Sequence, residues 1–285
     1  MVSRTRRALF AALVKKLECA GIPEGKQEAA FVLEQLSGMQ LPRFLMDGEQ
    51  KADEALAEQA LSLCEKRCTG YPLQYLLGEW DFFGLTLSVG EGVLIPRADT
   101  ETLVEEALRL RAGAPSTKMA DLCSGSGCIP AAIARNLPGA VGFALEKSPE
   151  AMQYLRQNLE KHAPEICPVL CDVLLPETAD AYTELDLITS NPPYLTAEDM
   201  RVLQREVTFE PEMALLGGED GLDFYRTITR VWKSSLKKGG WLLFETGMGQ
   251  HEAVEEILRE NGFCQVQTLC DLAGIGRVVR GKRDF

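Results

Sequence analysis

The sequence predicts an α/β chain: a mostly parallel sheet of seven strands with helices on both faces, an N-terminal helical bundle before it, and a β-hairpin joining the two. Three observations carry this prediction. The first seventy residues show helical periodicity and no convincing strand; strand and helix patterns alternate from residue 119 to the end; and the first of those strands runs through a glycine-rich turn straight into a helix. Such alternation specifies parallel strands buried on both faces, because parallel neighbours are joined by crossover helices that cover the sheet.

In the first segment, Leu9, Phe10, Leu13 and Leu17 form one apolar stripe, Ala29, Val32, Leu33 and Leu36 a second, and Leu56, Ala60 and Leu63 a third. Gly21-Ile22-Pro23 and Leu41-Pro42 separate them. Each stripe is too short to be stable alone, so a packed bundle is expected over residues 1–75. Residues 76–95 are the expected linker, with a hairpin turning near Gly84 inside Trp80-Asp81-Phe82-Phe83-Gly84-Leu85-Thr86-Leu87. The larger domain is expected over 96–285, opening with a helix at 100–111. Its strands are expected at 119–122, 141–145, 169–172, 185–189, 241–245, 265–269 and 277–280, with helices at 128–136, 148–161, 222–236 and 250–261.

Composition narrows the function classes. With 46% hydrophobic and 25% charged residues the chain is neither disordered nor collagen-like nor a coiled coil. The first sixteen residues scatter Arg4, Arg6, Arg7, Lys15 and Lys16 around a short apolar stretch, a pattern of neither a signal peptide nor a membrane span, so a cytoplasmic chain without a membrane partner is expected. Against 30 Lys+Arg stand 42 Asp+Glu, a formal charge of −12, and such a field repels phosphate backbones. A stable nucleic-acid partner is therefore not expected, although the first sixteen residues are locally basic. Nine cysteines form an odd set without a Cys-x-x-Cys pair and only two histidines could supplement them, so they read as reduced, mostly buried thiols and no metal site is expected. His162 and His251 lie on polar helical stretches and read as solvated side chains.

Two motifs carry chemistry. The first predicted strand ends in Asp121-Leu122-Cys123-Ser124-Gly125-Ser126-Gly127, and a helix begins at once. Gly125 and Gly127 permit positive φ and close approach to a ligand, and Pro130 is acceptable in a first helical turn. Glu146, at the end of the second strand, is placed to accept hydrogen bonds from ribose hydroxyls. Pro130 stands where a dinucleotide fingerprint wants Gly or Ala, which points away from NAD. S-adenosylmethionine carries an adenosine and no phosphate, so it needs the turn and the ribose carboxylate alone. Asp121 could take its ammonium group; Asp172 could accept from the adenine amino group, with Val173 padding the ring.

The second motif is Asn191-Pro192-Pro193-Tyr194, after the fourth strand. Consecutive prolines stiffen the backbone and hold the Asn191 side chain and the Pro192 carbonyl in fixed directions. Two fixed acceptors satisfy both hydrogens of a planar amide or exocyclic NH2, turning its lone pair toward the sulfonium methyl, and Tyr194 offers an aromatic wall. The tetrapeptide fits an amide acceptor and also the amino group of adenine N6 or guanine N2, whose enzymes must extract a base and ordinarily need a basic channel; the net charge opposes that alternative. Further on, 209–221 is a long Gly-rich excursion that reads as a segment able to fold over substrate or as a plain surface loop, and Arg97 could shape the mouth of the pocket.

Together these residues resemble the class I S-adenosylmethionine methyltransferases, with their Rossmann-like sheet, and more closely the release-factor glutamine-N5 methyltransferases called HemK or PrmC. The resemblance covers nearly the whole chain, through Gly70-Tyr71-Pro72-Leu73-Gln74-Tyr75, Val93-Leu94-Ile95-Pro96-Arg97, the Asp121–Gly127 loop, Asn191–Tyr194, Phe209-Glu210-Pro211, Ala214-Leu215-Leu216-Gly217-Gly218 and Asp220-Gly221-Leu222-Asp223-Phe224-Tyr225. It implies methyl transfer from S-adenosyl-L-methionine, leaving S-adenosyl-L-homocysteine, to the glutamine of the Gly-Gly-Gln motif of class I peptide release factors. It also implies a cofactor pocket at Cys123 to Gly127, Glu146 and Asn191, a substrate amide held at Asn191 and Pro192, and a helical front that contacts the protein substrate. A monomer is expected. The chain departs from the family at Cys123, where many members have glycine, and at Val173, where an aromatic residue often meets adenine.

Overall fold

The computed structural model describes residues 5–271 and 273–284; Arg4 of the basic amino terminus lies outside them. The chain divides into two compact units, residues 5–78 with Gln204–Phe209, and Glu79–Leu203 with residues 210–284.

The first unit holds α1 (Arg6–Cys19), α2 (Gly25–Ser37), α3 (Leu41–Met46), α4 (Glu54–Cys68) and α5 (Leu73–Leu77). Side-chain caps fix two starts: the Ala8 N–H donates to Thr5 Oγ1 at 3.2 Å and the Leu56 N–H to Asp53 Oδ1 at 2.9 Å. All three expected stripes contribute to one core, in which Leu9, Leu13, Leu17, Ala29, Leu33 and Ala60 are wholly buried. The buried Arg67 guanidinium is shared between Glu28, at 2.6 and 2.9 Å, and Glu206, at 2.5 Å, so it ties segment 204–209 into this unit. A carboxylate on each side offsets the cost of burying that charge.

The second unit opens with the hairpin β1 (Glu79–Phe82) and β2 (Leu85–Ser88), turning at Phe83 and Gly84. There follow α6 (Glu101–Arg111), β3 (Thr117–Leu122), α7 (Cys128–Asn136), β4 (Ala140–Glu146), α8 (Pro149–His162), β5 (Ile166–Leu170), α9 (Pro176–Asp180) and β6 (Leu185–Ser190). Then come α10 (Asp223–Trp232), β7 (Leu236–Glu245), α11 (His251–Glu260), β8 (Cys264–Cys270) and β9 (Gly276–Lys282). The sheet order is β5-β4-β3-β6-β7-β9-β8, parallel except for β9. Strand order reverses between β3 and β6, the switch point where such sheets leave a crevice beyond their carboxyl ends. Successive strand residues serve opposite cores: Leu187 and Leu243 pack with Ile129, Ile133 and Leu155, while Ile188, Leu242 and Phe244 pack with Tyr225, Trp232 and Leu258.

Three expectations need correction. The strand placed at 169–172 is β5, which ends at Leu170; Pro168 inside it is tolerated because β5 is an edge strand needing few N–H donors. The helix placed at 222–236 stops at Trp232, and β7 begins at Leu236, five residues earlier than expected. Neither histidine is simply solvated: His162 Nε2 lies 2.8 Å from the Thr86 carbonyl, and His251 packs against Gly276 with its Nδ1 buried.

Candidate active site

A cavity of about 500 Å³ opens at the carboxyl ends of β3, β4 and β6, within the range that holds a small-molecule ligand. Its wall takes Cys123, Ser124, Gly125 and Ser126 from the glycine loop, Glu146 and Lys147 from the end of β4, Asp172 and Val173 beyond β5, and Asn191 and Pro193 beyond β6.

The loop is built from strained and permissive positions. Cys123 has φ +60, a left-handed conformation that glycine would adopt without cost and that a side chain makes strained. Gly125 has φ +52, and a Cβ on it would meet nothing nearer than Val93 at 4.0 Å, so its outer side faces open space. Gly127 serves differently: at φ +81, a Cβ on it would lie 2.6 Å from Leu155 Cδ1, so its glycine seats α7 against α8 and it is not on the cavity wall. Of the two glycines expected to approach a ligand, Gly125 alone lies on the cavity wall. Asn158, fully buried on α8, accepts from Ser88 N–H at 2.7 Å and donates to the Ser88 and Ser126 carbonyls, each at 2.9 Å, which joins the hairpin, α8 and the loop.

Glu146 is held by three backbone N–H groups: Gly125 donates to Oε2 at 2.8 Å, and Lys147 and Ser148 donate to Oε1 at 2.8 and 2.7 Å. A carboxylate offers about four acceptor positions, so one remains on Oε2, facing the cavity for a ligand hydroxyl. Asp172 turns its own segment through the Leu174 N–H at 3.0 Å and pairs with Lys147 at 2.8 Å; although burial, the largest single influence, pushes its pKa up, the Lys147 hydrogen bond and charge and the Leu174 N–H together outweigh it and hold it low. Val173 is buried and accepts the Trp232 indole N–H at 2.8 Å, and Phe224 brings an aromatic ring to the same wall. An open glycine, a ribose-height carboxylate and a hydrophobic slot fit an adenosine sulfonium such as S-adenosylmethionine.

Asp121 lies elsewhere than expected. Its carboxyl is wholly buried beneath the loop, takes the Thr189 hydroxyl at 2.6 Å, and is absent from the cavity wall. Burial pushes its pKa up to about 7, against hydrogen bonds from Thr189 and Ser124 that pull the other way. An ammonium contact at that position is thus corrected to a structural one: Asp121 pins β3 to β6.

Asn191 and Pro193 reach the wall, whereas Pro192 is buried and Tyr194 half-buried beside it. Tyr194 is fixed through its carbonyl, which accepts from Gln250 Nε2 at 2.9 Å, while Gln250 Oε1 takes the Gly247 N–H at 3.1 Å. Any Cβ on Gly217, Gly221 or Gly247 would come within 2.9 Å of Tyr194. Burial pushes the Tyr194 phenol up to about 12, so it stays neutral. The excursion at 209–221 is no plain surface loop: Glu210 is buried, accepts the Ile95 N–H at 3.0 Å and pairs with Arg97, and Pro211 to Ala214 and Leu216 line the cavity.

Residues 8–78 match the PrmC N-terminal domain family, and residues 99–215 match the methyltransferase small domain family. A release factor glutamine methyltransferase of Geobacter sulfurreducens is 42% identical over 235 residues, covering 81% of this chain and 81% of that protein. One of Koribacter versatilis is 34% identical over 286 residues, covering 98% and 99%. Among solved structures, the catalytic domain of hMettl16 in complex with MAT2A 3′UTR hairpin 1 aligns with a TM-score of 0.59 at 17% identity, covering 89% of this chain and 91% of that one. A methyltransferase from Pyrococcus furiosus aligns at 0.53 and 15%, covering 72% and 91%. The two structures speak for the fold alone; with relatives 42% and 34% identical over 81% and 98% of its length, the chain belongs to the release factor glutamine methyltransferase family.

Proposed function

We propose that the protein transfers a methyl group from S-adenosyl-L-methionine to the side-chain amide nitrogen (N5) of the glutamine in the Gly-Gly-Gln motif of class I peptide release factors. The observation that carries this reading is Asn191, set by a double-proline turn on the wall of a cavity whose floor holds Glu146. Bound there, the cofactor supplies an activated methyl: the amide nitrogen forms a bond to that carbon as the sulfur–carbon bond breaks, leaving S-adenosyl-L-homocysteine and one proton from the nitrogen for solvent. Ser124, Gly125 and Ser126 cradle the cofactor together with Cys123, while Gly127 and Asp121 hold this loop in shape. Glu146 accepts from a ribose hydroxyl, Asp172 from the adenine amino group, and Val173 and Phe224 flank the ring.

Asn191 Oδ1 and the Pro192 carbonyl accept both amide hydrogens, which aims the nitrogen lone pair out of the amide plane toward the methyl. Pro193 keeps the turn rigid and Tyr194 covers the flat amide. Cys123, Cys128 and Cys171 also line the cavity. Burial pushes all three thiols up, Cys128 to about 12 and Cys171 to about 11, and a neutral thiol is too weak a nucleophile to compete for the methyl. The first unit recognises the protein substrate, the chain works as a cytoplasmic monomer, and the domains run over 1–75, 76–95 and 96–285. No helix among the described residues is long and apolar enough to cross a membrane.

A labelled-methyl assay offering release factor, tRNA and duplex DNA side by side tests the reading. Labelling of the release factor, lost when its Gly-Gly-Gln glutamine is replaced, is the expected result. Labelling of nucleic acid alone would overturn it in favour of an adenine-N6 or guanine-N2 amino methyltransferase.

A further inference from the structure

Strand β6 ends at Ser190, and in the tetrapeptide that follows Pro192 and Pro193 have no N–H by which a neighbouring strand could hold them. Their rings fix φ. A following proline also restricts ψ of Asn191 and of Pro192, which leaves ψ of Pro193 as the first torsion in the turn that no proline sets. That torsion decides where Tyr194 stands. Whatever holds Tyr194 from outside therefore completes the geometry of the tetrapeptide.

Two kinds of contact do so. Leu195 joins a short ladder with segment 215–217, its N–H donating to the Leu215 carbonyl and its carbonyl accepting from the Gly217 N–H, both at 2.8 Å. Tyr194 itself is held by a side chain: Gln250 Nε2 donates to its carbonyl at 2.9 Å, while Gln250 Oε1 accepts the Gly247 N–H at 3.1 Å. These partners settle the orientation of the Gln250 amide, because a carbonyl only accepts and an N–H only donates. The seat is close-fitting. A Cβ on Gly217 would lie 2.6 Å from Tyr194 Cα, one on Gly221 would lie 2.3 Å from the Tyr194 carbonyl oxygen and 2.5 Å from Gln250 Nε2, and one on Gly247 would lie 2.9 Å from Tyr194 Cδ2. Neither Gln250 nor Tyr194 lies on the wall of the cofactor cavity.

We propose that Gln250 is a positioning residue for methyl transfer: by holding the Tyr194 carbonyl it fixes the aromatic wall against which the flat acceptor amide lies. This rests on the methyl-transfer reading above. Gln250 touches neither substrate nor cofactor; its effect passes through Tyr194. A role confined to the start of α11 would instead use the other end of the side chain, where Oε1 closes the turn at Gly247. The two roles need opposite halves of one amide, so substitution can separate them.

The test divides those halves, read by methyl transfer to release factor with the full-length chain. Gln250→Glu keeps the acceptor for the Gly247 N–H but sets a carboxylate oxygen against the Tyr194 carbonyl. It should lower kcat about tenfold or more, while the KM for S-adenosylmethionine changes less than about twofold. Gln250→Lys keeps a donor for the Tyr194 carbonyl and loses the acceptor for Gly247; it should turn over about fivefold or more faster than Gln250→Glu. A merely structural Gln250 gives the reverse order. That reverse order, equal turnover of the two variants, or Gln250→Glu within about twofold of the wild type overturns the inference. If Gln250→Glu fails to fold by circular dichroism, Gln250→Met, of similar length and without an amide, replaces it, and the same margin below Gln250→Lys decides. Wild-type protein that labels no release factor overturns the methyl-transfer reading and this inference with it, whereas an active wild type with equal variants overturns the inference alone.

Discussion

At the scale of single residues, Asn191 concentrates the chemistry in one amide. Its removal takes away a fixed acceptor aimed at the reacting nitrogen, and deleting one preorganised hydrogen bond of that kind costs about 10²–10³ in turnover. Asn191→Ala should therefore lower kcat about a hundredfold or more, with a melting temperature within two or three degrees of the wild type, since the Asn191 side chain contributes little to either core. A calorimetric scan beside the transfer assay checks both halves, and unchanged turnover would remove Asn191 from its role. Asn191, Glu146 and Gly125 were legible in the sequence because each carries a chemical signature at a strand end. Glu245 and Gln250 were not: a Glu closing an apolar strand and a Gln opening a helix look like solvated boundary residues until the parallel register lays them beside Asn191 and Tyr194. Asp121 misled for the converse reason, because an acidic residue before a glycine loop reads the same whether it points into the cavity or under it.

At the scale of elements, the glycine loop works because α7 can approach α8. Gly127 combines φ +81 with a site where a Cβ would lie 2.6 Å from Leu155 Cδ1. Gly127→Ala thus meets two penalties, about 1–2 kcal/mol for the left-handed backbone and about 1–3 kcal/mol for overpacking a buried contact. Urea unfolding should show a loss on the order of 2–5 kcal/mol with an unchanged m-value; a loss under 1 kcal/mol would mean that the helices separate freely. The start of α8 gives a smaller, cleaner case. Ser148 Oγ accepts the Ala151 N–H at 3.1 Å, so Ser148→Ala should cost about 1 kcal/mol in the same measurement. Helix α7 was placed correctly at both ends from its sequence, since the glycine turn precedes it and its polar end follows. Strand β7 was cut short because Lys237-Lys238-Gly239-Gly240 has the composition of a turn, yet Leu236 already pairs with Leu185. Tertiary pairing outweighs local preference there.

For the molecule as a whole, the order β7-β9-β8 and the return of Gln204–Phe209 to the helical unit lie beyond any local pattern, because both are settled by contacts between residues distant in sequence. Charge burial is another such property, and it sets the pH dependence of stability. Burial pushes Asp121 from 3.8 and Glu245 from 4.5 to about 7. Below about pH 4 both carboxyls are protonated, folded or not, and contribute no pH dependence. Between about pH 4 and 7 the unfolded chain releases these protons while the folded chain keeps them, so the unfolded state binds fewer protons and stability falls as pH rises; above about 7 the fall is complete. At about 1.4 kcal/mol per pKa unit, the two groups together are worth several kcal/mol. Asp172 and Asp186 act in the opposite sense. Burial raises both, but the lysine hydrogen bonds (Lys147 and Lys237), the backbone donors Leu174 and Lys118 and the neighbouring cationic charges together outweigh it and hold them low, so the stability they give is present above the unfolded pKa and lost as pH falls below it. The two opposed slopes meet in mildly acidic solution. The melting temperature should peak near about pH 4 and decline toward pH 7.5, and Glu245→Gln, which cannot ionise, should flatten part of that decline. A wild-type melting temperature that is level or rising from about pH 5 to 7.5 would show that Asp121 and Glu245 ionise in the fold at their ordinary values.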